Sequence, residues 1–226
     1  MSLSNLASAP DAHRRSKGER TCDRIREAAL DLFARLGFER VTMADIAREA
    51  EVSQPALHYH FADKDALWRG AIGMLAAAIA EEERLISSAR DVSAFAALQI
   101  AMRHFVRLSW RWPALGRIVA LEGMAGGERL DWLVENLIGR RNRNLLTLVR
   151  TAIADGDLKP FPPEQILILL QTGAAGAVNM APLMRANFNY DPDQEDARAD
   201  WEDLIVETLT AGLATGRNRD NRETNP

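Results

Sequence analysis

An all-α fold is what this 226-residue sequence predicts, and three observations carry it. No stretch alternates apolar and polar residues with period two, and no turn pair such as Asn-Gly separates apolar runs. Apolar residues recur instead at three and four residues, most clearly at Leu133, Leu137, Leu145, Leu148, Val149 and Ala152, which sets them on one helical stripe. Near the N-terminus, two short amphipathic segments flank a four-residue break, and each opens on a hydroxyl residue.

The elements follow in order. A first helix is expected over residues 21–36, with Ala28, Ala29, Leu32, Phe33 and Leu36 inward and Gly37 as its C-cap. The two short segments come next: Thr42 precedes Met43-Ala44-Asp45-Ile46-Ala47, and Ser53 precedes Gln54-Pro55-Ala56-Leu57. Both hydroxyls read as helix N-caps. Pro55 falls in the first turn after Ser53, where its missing N–H costs nothing and its fixed φ suits the helix. Ile46, Ala47 and Ala50 give one segment an inward face, and Leu57 and Phe61 give the other its own. Helices this short are unstable alone, so both must dock on the first. That is a helix-turn-helix arrangement.

Lys64 opens a fourth, longer helix to about residue 86, with Leu67, Ala71, Met74, Leu75, Ala78 and Ile79 on one stripe. A break at Ser87-Ser88 leads to a helix over residues 92–110, closed by Pro113, and a shorter one over 114–123. Residues 130–154 read as one long helix ended by Asp155-Gly156-Asp157. Residues 164–180 are apolar nearly all round, which implies burial on two sides, and Gly173, Ala174, Gly176 and Ala177 permit close helix approach. A polar loop over 189–196 precedes a last helix carrying Trp201, Leu204, Ile205 and Leu209 and ending at Gly212.

Composition narrows the function classes. The chain is 47% hydrophobic, enough for a sizeable core, yet holds no run of eighteen apolar residues, so no transmembrane helix and no membrane partner are expected. Its N-terminus lacks the apolar core of a signal peptide, and a single cysteine, Cys22, fits a reducing cytoplasm. Net charge is −4, but residues 1–70 balance their charges, and Arg14, Arg15, Lys17, Arg20, Arg24 and Arg26 form a locally basic stretch able to touch phosphates. His58 and His60 stand two apart on a helix and do not share a face, so no metal site is expected. The glycine-rich run at residues 123–127 lacks the Lys-Ser/Thr of a phosphate loop, and no catalytic constellation is present. Neither an enzyme nor a cofactor is expected.

Several of these residues carry a resemblance. The run Ala28-Ala29-Leu30-Asp31-Leu32-Phe33, then Gly37-Phe38, Val41-Thr42, Asp45-Ile46-Ala47, Val52-Ser53, Leu57, Tyr59-His60-Phe61 and Lys64, resembles the DNA-binding domain of the TetR family of transcriptional regulators. It covers roughly a quarter of the chain. Glu51 stands where that family usually has the turn glycine, so a positive φ there carries strain. The resemblance implies an N-terminal three-helix helix-turn-helix domain joined by a long helix to a C-terminal helical domain for ligand binding and dimerisation. The ranges expected are 1–19 for a flexible basic arm, 20–66 for the DNA-binding domain, 67–216 for the helical domain and 217–226 for a polar tail.

The implied partners are a double-stranded DNA operator, a small-molecule effector and a second copy of the chain. The DNA-facing set is Thr42, Ser53, Gln54, Pro55, Ala56, His58, Tyr59, His60 and Lys64, with Thr42 and Lys64 at helix N-termini as phosphate anchors. Surplus large side chains in the middle helices point to an apolar pocket of Met102, Phe105, Trp110, Met124, Trp132, Asn136 and Arg140, with Arg103, His104 and Arg107 as further polar groups. The dimer interface is expected at Leu169, Leu170, Gly173, Ala177, Leu204 and Leu209. The function so implied is a ligand-responsive DNA-binding regulator, most simply a repressor released by a mainly apolar molecule. The charge balance of residues 1–70 keeps open a second reading, a helical binding module whose helix-turn-helix is vestigial.

Overall fold

The computed structural model describes residues 16–86 and 92–215. The expected arm up to residue 15, the Ser87-Ser88 break and the tail 217–226 lie outside them. Among the described residues the chain is helical: α1 (Lys17–Leu36), α2 (Met43–Glu49), α3 (Gln54–His60), α4 (Lys64–Ile86), α5 (Ala94–Arg111), α6 (Pro113–Ala125), α7 (Glu128–Leu133), a π-helical turn (Val134–Ile138), α8 (Gly139–Ala154), α9 (Pro163–Phe188) and α10 (Glu195–Leu213). Contacts divide it into two compact units, one of residues up to 88 with Arg117–Met124, the other of residues 89–116 and everything from Ala125 on.

The first unit is built on α1 and α4. Helix α1 starts four residues earlier than its apolar stripe suggests, because Ser16 caps it: the Ser16 hydroxyl accepts from the Glu19 N–H, and Glu19 returns the bond to the Ser16 N–H. Residues 17–19 therefore belong to the helix, not to an arm. At the other end Gly37 adopts φ 78° and donates its N–H to the Phe33 carbonyl, as its placement predicts. Ile25, Ala29, Leu30 and Phe33 of α1 bury against Leu67, Trp68, Ala71, Ile72 and Leu75 of α4. Each such large apolar side chain stabilises by about 1.5–3 kcal/mol, and the short α2 and α3 are held by their own buried Ile46, Ala47 and Leu57. Those α4 residues are as buried as any in α1. The unit accordingly takes in the whole of α4, where the sequence suggests a division at 66.

The second unit is a bundle of α5, α8, α9 and α10 around Phe95, Leu98, Met102, Val149, Ile166, Leu170 and Val206. An isolated β-bridge between Leu158 and Ala214 ties the α8–α9 loop to the end of α10, reinforced by the Lys159 N–H on the Leu213 carbonyl at 2.8 Å. One helix departs from expectation. The helix expected over 130–154 is interrupted by the π turn, and a Cβ at Gly139 would lie 2.4 Å from the Val134 carbonyl oxygen, so only glycine fits there. Helix α9 runs beyond the apolar stretch 164–180, through Pro182 to Phe188, up to the expected polar loop. By length and mean hydropathy α9 is apolar enough to cross a bilayer, although no eighteen consecutive residues are apolar: Gln171, Thr172 and Asn179 interrupt the run without lowering the average far. In this fold Ile166, Leu167, Leu170, Ala174, Ala177 and Val178 of α9 are buried.

Candidate nucleic-acid interface and helical-bundle cavity

Helix α3 is positioned from beneath and from its start. Leu57 is fully buried, Phe61 is buried where the helix ends, and the Ser53 hydroxyl accepts the Ala56 N–H at 3.3 Å. The turn before it places Glu51 at φ 52°, the left-handed conformation anticipated for that position. With those contacts fixed, Gln54, Pro55, His58 and Tyr59 are exposed and His60 and Ala56 half-buried. Tyr59 is 86% exposed, its ring edge-on to His60 at 5.2 Å. The face combines an amide, two imidazoles, a phenol and a proline ring, all able to meet base edges or methyls.

Three members of the expected DNA-facing set have their polar groups engaged within the protein. The Thr42 hydroxyl accepts from the Asp45 N–H at 3.1 Å and donates to the Asp45 carboxylate at 2.6 Å, while the Thr42 N–H donates to the same carboxylate. A capping box therefore fills the start of α2, and the ionised Asp45 faces any phosphate that approaches it. Those hydrogen bonds from Thr42, the hydroxyl's first, with Arg48 beyond them, hold the Asp45 carboxyl below the usual aspartate range. The Thr42-x-x-Asp45 spacing carries this signal in the sequence. Lys64 is likewise committed: its ammonium donates to the Phe38 and Val41 carbonyls at 3.0 and 3.1 Å and sits over the Phe38 ring. It ties the α1–α2 connection to the start of α4 rather than waiting for a phosphate. Ser53 is a cap.

The second unit holds a cavity of about 20 Å³ lined by α5, α8, α9 and α10, with Met102, Phe105, Val106, Leu145, Leu170 and Ala174 among its walls. It has room for about one water, against the several hundred Å³ of an occupied small-molecule pocket. Two residues of the expected pocket, Met102 and Phe105, line it; the others do not. Trp110 packs under Arg198, whose guanidinium carbon is 5.2 Å from the ring centre. Met124 is 79% exposed, and Trp132 does not reach the cavity wall. Asn136 and Arg140 are exposed, and the Asn136 amide donates to the Trp132 carbonyl. Arg140 follows the π turn, whose extra residue rotates the helix after it by about 100° relative to a regular α-helix.

Arg103 and Arg107 are not free to orient a ligand either. Glu202, on α10, receives Arg107 through both carboxylate oxygens at 2.7 and 2.8 Å and Arg103 at 3.2 Å, while Asp203 receives Arg103 at 2.7 Å. Hydrogen bonds to Asp203 and Glu202 push the Arg103 pKa up, and those to Glu202 do the same for Arg107. Nothing in the sequence marks this network, since its members lie some 95 residues apart.

The six residues expected at the dimer interface separate. Leu169 and Leu204 are about half exposed, but Leu170 and Ala177 are buried inside the bundle. Leu209 packs on the core, and a Cβ at Gly173 would meet Ile205 at 3.4 Å and Leu209 at 3.9 Å. Gly173 thus serves the approach of α9 to α10 within one chain. The exposed large apolar side chains of these helices are instead Ile168, Leu169, Met180, Leu183, Phe188 and Leu204.

Comparison with known proteins agrees with this architecture. A family model described as bacterial regulatory proteins, tetR family, matches residues 25–70. The nucleoid occlusion factor SlmA of Vibrio campbellii is 27% identical over 175 residues, 74% of this chain and 87% of that protein. The HTH-type transcriptional regulator RutR of Escherichia coli K12 is 25% identical over 72% of this chain and 76% of its own length. Among solved structures, the ketosteroid transcriptional regulator KstR2 of Mycobacterium tuberculosis shares the fold with a TM-score of 0.64 over 89% of this chain and 96% of that one, at 16% identity. A tetR family transcription regulator from Shewanella sp. PV-4 does so with a TM-score of 0.60 over 86% and 98%, at 20% identity. The matched segment spans the very helices whose buried faces dock α3 and leave its polar face outward: residues 25–70 carry the N-terminal domain of the tetR family of bacterial regulatory proteins, in a chain whose helical fold is that of TetR-family structures.

Proposed function

We propose that the protein is a repressor that binds a palindromic operator as a homodimer and releases it when a small, mainly apolar molecule enters the helical bundle. The observation that carries the DNA-reading half is the face of α3, where Gln54, Pro55, His58 and Tyr59 project from a helix locked by Leu57 and Ser53. Gln54 pairs bidentately with an adenine, Pro55 and Ala56 offer apolar surface to a thymine methyl, and Tyr59 and His60 reach a base edge or a phosphate. No Lys or Arg lies between residues 54 and 60, so phosphate contacts fall to exposed cations elsewhere in the unit, Arg20 and Arg24 of α1 and Arg40 just before α2.

Dimerisation uses the exposed apolar face of α9 and α10, with Leu169, Met180, Leu183 and Leu204 meeting their symmetry mates. The effector acts by linkage: it favours a bundle conformation that spaces the two recognition helices wrongly for successive major grooves. Family and fold are those of transcription regulators, not of enzymes, and a chromosomal operator puts the site of action in the cytoplasm. The deciding experiment is a gel shift on the DNA upstream of the protein's own gene at stated salt. Two protomers per shifted duplex are expected, with a preference over unrelated DNA of equal length; absence of that preference refutes the reading.

A further inference from the structure

We infer that operator binding takes up protons: His58 and His60, on the two flanks of α3, carry as imidazolium the positive charge that this surface otherwise lacks, so that operator affinity rises as pH falls through the imidazole range. This rests on the reading of α3 as the element that enters the major groove.

The flanks follow from the helical period. Residues two apart on an α-helix lie about 200° around its axis. Leu57 is fully buried and marks the inward side of α3, so Tyr59, two residues on and 86% exposed, marks the outward one. His58 and His60 stand one residue to either side of Tyr59, about 100° from it in opposite senses. A helix about 10–12 Å across fills a major groove about 12 Å wide. With Tyr59 toward the base edges, the two imidazoles therefore face the phosphate rows along the two walls of the groove.

Permanent cations are scarce on this surface. Residues 41–63 hold one arginine against four carboxylates, net −3 with both imidazoles neutral. That arginine, Arg48, donates to Asp45 at 2.6 Å, and Lys64, the next cation along the chain, is committed to the Phe38 and Val41 carbonyls. Protonation of His58 and His60 brings the segment to −1.

The charged groups on the surrounding elements leave both imidazoles unclaimed. Asp45 and Arg48 of α2 pair with each other, and Arg26 of α1 bonds to Asp23 and lies over the Phe61 ring. Asp63, just ahead of α4, accepts the Ala66 N–H at 2.7 Å. Glu49, Glu51, Asp65 and Arg69 are exposed. Among the described residues neither His58 nor His60 has an ion pair or hydrogen bond to any of these; His60 instead meets the Tyr59 ring edge-on at 5.2 Å.

Imidazole is the side chain whose charge changes between about pH 5 and 8. Beside a phosphate the imidazolium is favoured, so the protein holds more protons on DNA than off it. The added affinity is fully present at a pH where the free protein's imidazoles are already charged, and it is lost as pH rises past the point where the bound ones discharge. Each imidazolium that meets a phosphate also displaces a counterion, which steepens the fall of affinity with salt.

The test uses the full-length protein and a duplex of the DNA upstream of its own gene. Gel shifts over a salt series at pH 6 and pH 8 give affinity and salt slope, and calorimetric titration at pH 7 in two buffers of different ionisation enthalpy counts the protons taken up. Affinity at pH 6 is expected to exceed that at pH 8 by about tenfold, with a salt slope steeper by about one unit and net proton uptake at pH 7. The His58→Gln/His60→Gln double variant keeps hydrogen-bonding side chains without a titratable charge and should lose all three effects. If the half-buried His60 does not tolerate the change, His58→Gln carries the test, with about half of the proton uptake lost. His13 and His104 remain in both variants, so a pH dependence that survives the substitutions overturns the inference, as does a wild-type affinity and salt slope indifferent to pH. Either result leaves the regulator reading intact, whereas a protein with no preference for that duplex over unrelated DNA sinks the regulator reading and the proton linkage with it.

Discussion

The ammonium nitrogen of Lys64 stands 4.1 Å from the centre of the Phe38 ring and 3.0 Å from the carbonyl oxygen of the same residue. A second bond to the Val41 carbonyl makes Lys64 a clasp between the first turn of α4 and the connection that leads into α2. Lys64→Ala should therefore cost roughly 1–3 kcal/mol of stability, the range of charged hydrogen bonds with a cation–π contact. The slope of operator affinity against salt should stay unchanged, because no phosphate contact is lost. Urea unfolding and a salt series of gel shifts read the two effects separately; a slope reduced by about one unit at unchanged stability contradicts the clasp.

Thr42 and Asp45 make a matching prediction with a pH signature. Loss of the cap in Thr42→Val should destabilise by roughly 0.5–2 kcal/mol. Because the folded state holds Asp45 ionised below the usual aspartate range, that linked contribution is present above the unfolded-state pKa and lost as pH falls through the folded one. The gap between wild type and variant should therefore narrow on acidification below about pH 4. Thermal unfolding at pH 7 and pH 3 checks it, and a gap that widens in acid is the contrary outcome.

Glu202 joins two arginines of α5 to α10, its side chain only 12% exposed. Glu202→Gln keeps the shape and leaves Arg103 and Arg107 without their shared counter-charge, at a cost of about 1–3 kcal/mol given how exposed the arginines are. Arg107→Met in the same background should cost less than in the wild type. Equilibrium denaturation of the four proteins gives the coupling; strict additivity means the ion pairs contribute nothing.

Assembly and intrachain packing separate by mutation. Leu204→Glu places a charge on the exposed apolar face and should yield folded monomer by analytical ultracentrifugation, with operator affinity falling alongside. Gly173→Asp, by contrast, presses into Ile205 and Leu209 of the same chain and should lower Tm before it alters association. A Leu204→Glu protein that remains dimeric at low micromolar concentration would move the interface elsewhere.

Gln54 is exposed at the start of α3, and the proposed readout assigns it one base pair. Gln54→Ala should relax discrimination at one base pair of the operator by roughly 1–3 kcal/mol and leave the others alone. Affinities for a panel of single-base operator variants decide it, uniform loss across the panel being the contrary result.

How far the sequence could be read depended on whether the determinants were local. Helix α4 follows from pattern to the residue, and so do the hydroxyl caps at Thr42 and Ser53 and the left-handed Glu51, because a cap or a turn is decided within four or five positions. The early start of α1 escaped since its apolar stripe begins after the residues that the Ser16 cap adds. The π turn escaped because Leu133, Val134, Leu137 and Ile138 keep a three-and-four rhythm across it. Which polar groups are already engaged is a tertiary fact: nothing near Lys64 in sequence foretells Phe38 and Val41, and nothing near Arg107 foretells Glu202. The expected cavity wall moved for the same reason, its partners being set by four helices at once.

The π turn is one residue more than a regular helix needs, and Gly139 is the residue that lets it close. Deletion of a single residue between Val134 and Ile138 would let α7 run straight into α8 and swing one relative to the other by about 100°. Different side chains of α8 would then face Met102 and Leu170, with the composition of the chain nearly untouched. A one-codon indel at this place is thus a means of changing the shape of the bundle's cavity in one genetic step, where point substitutions in a packed core would need several.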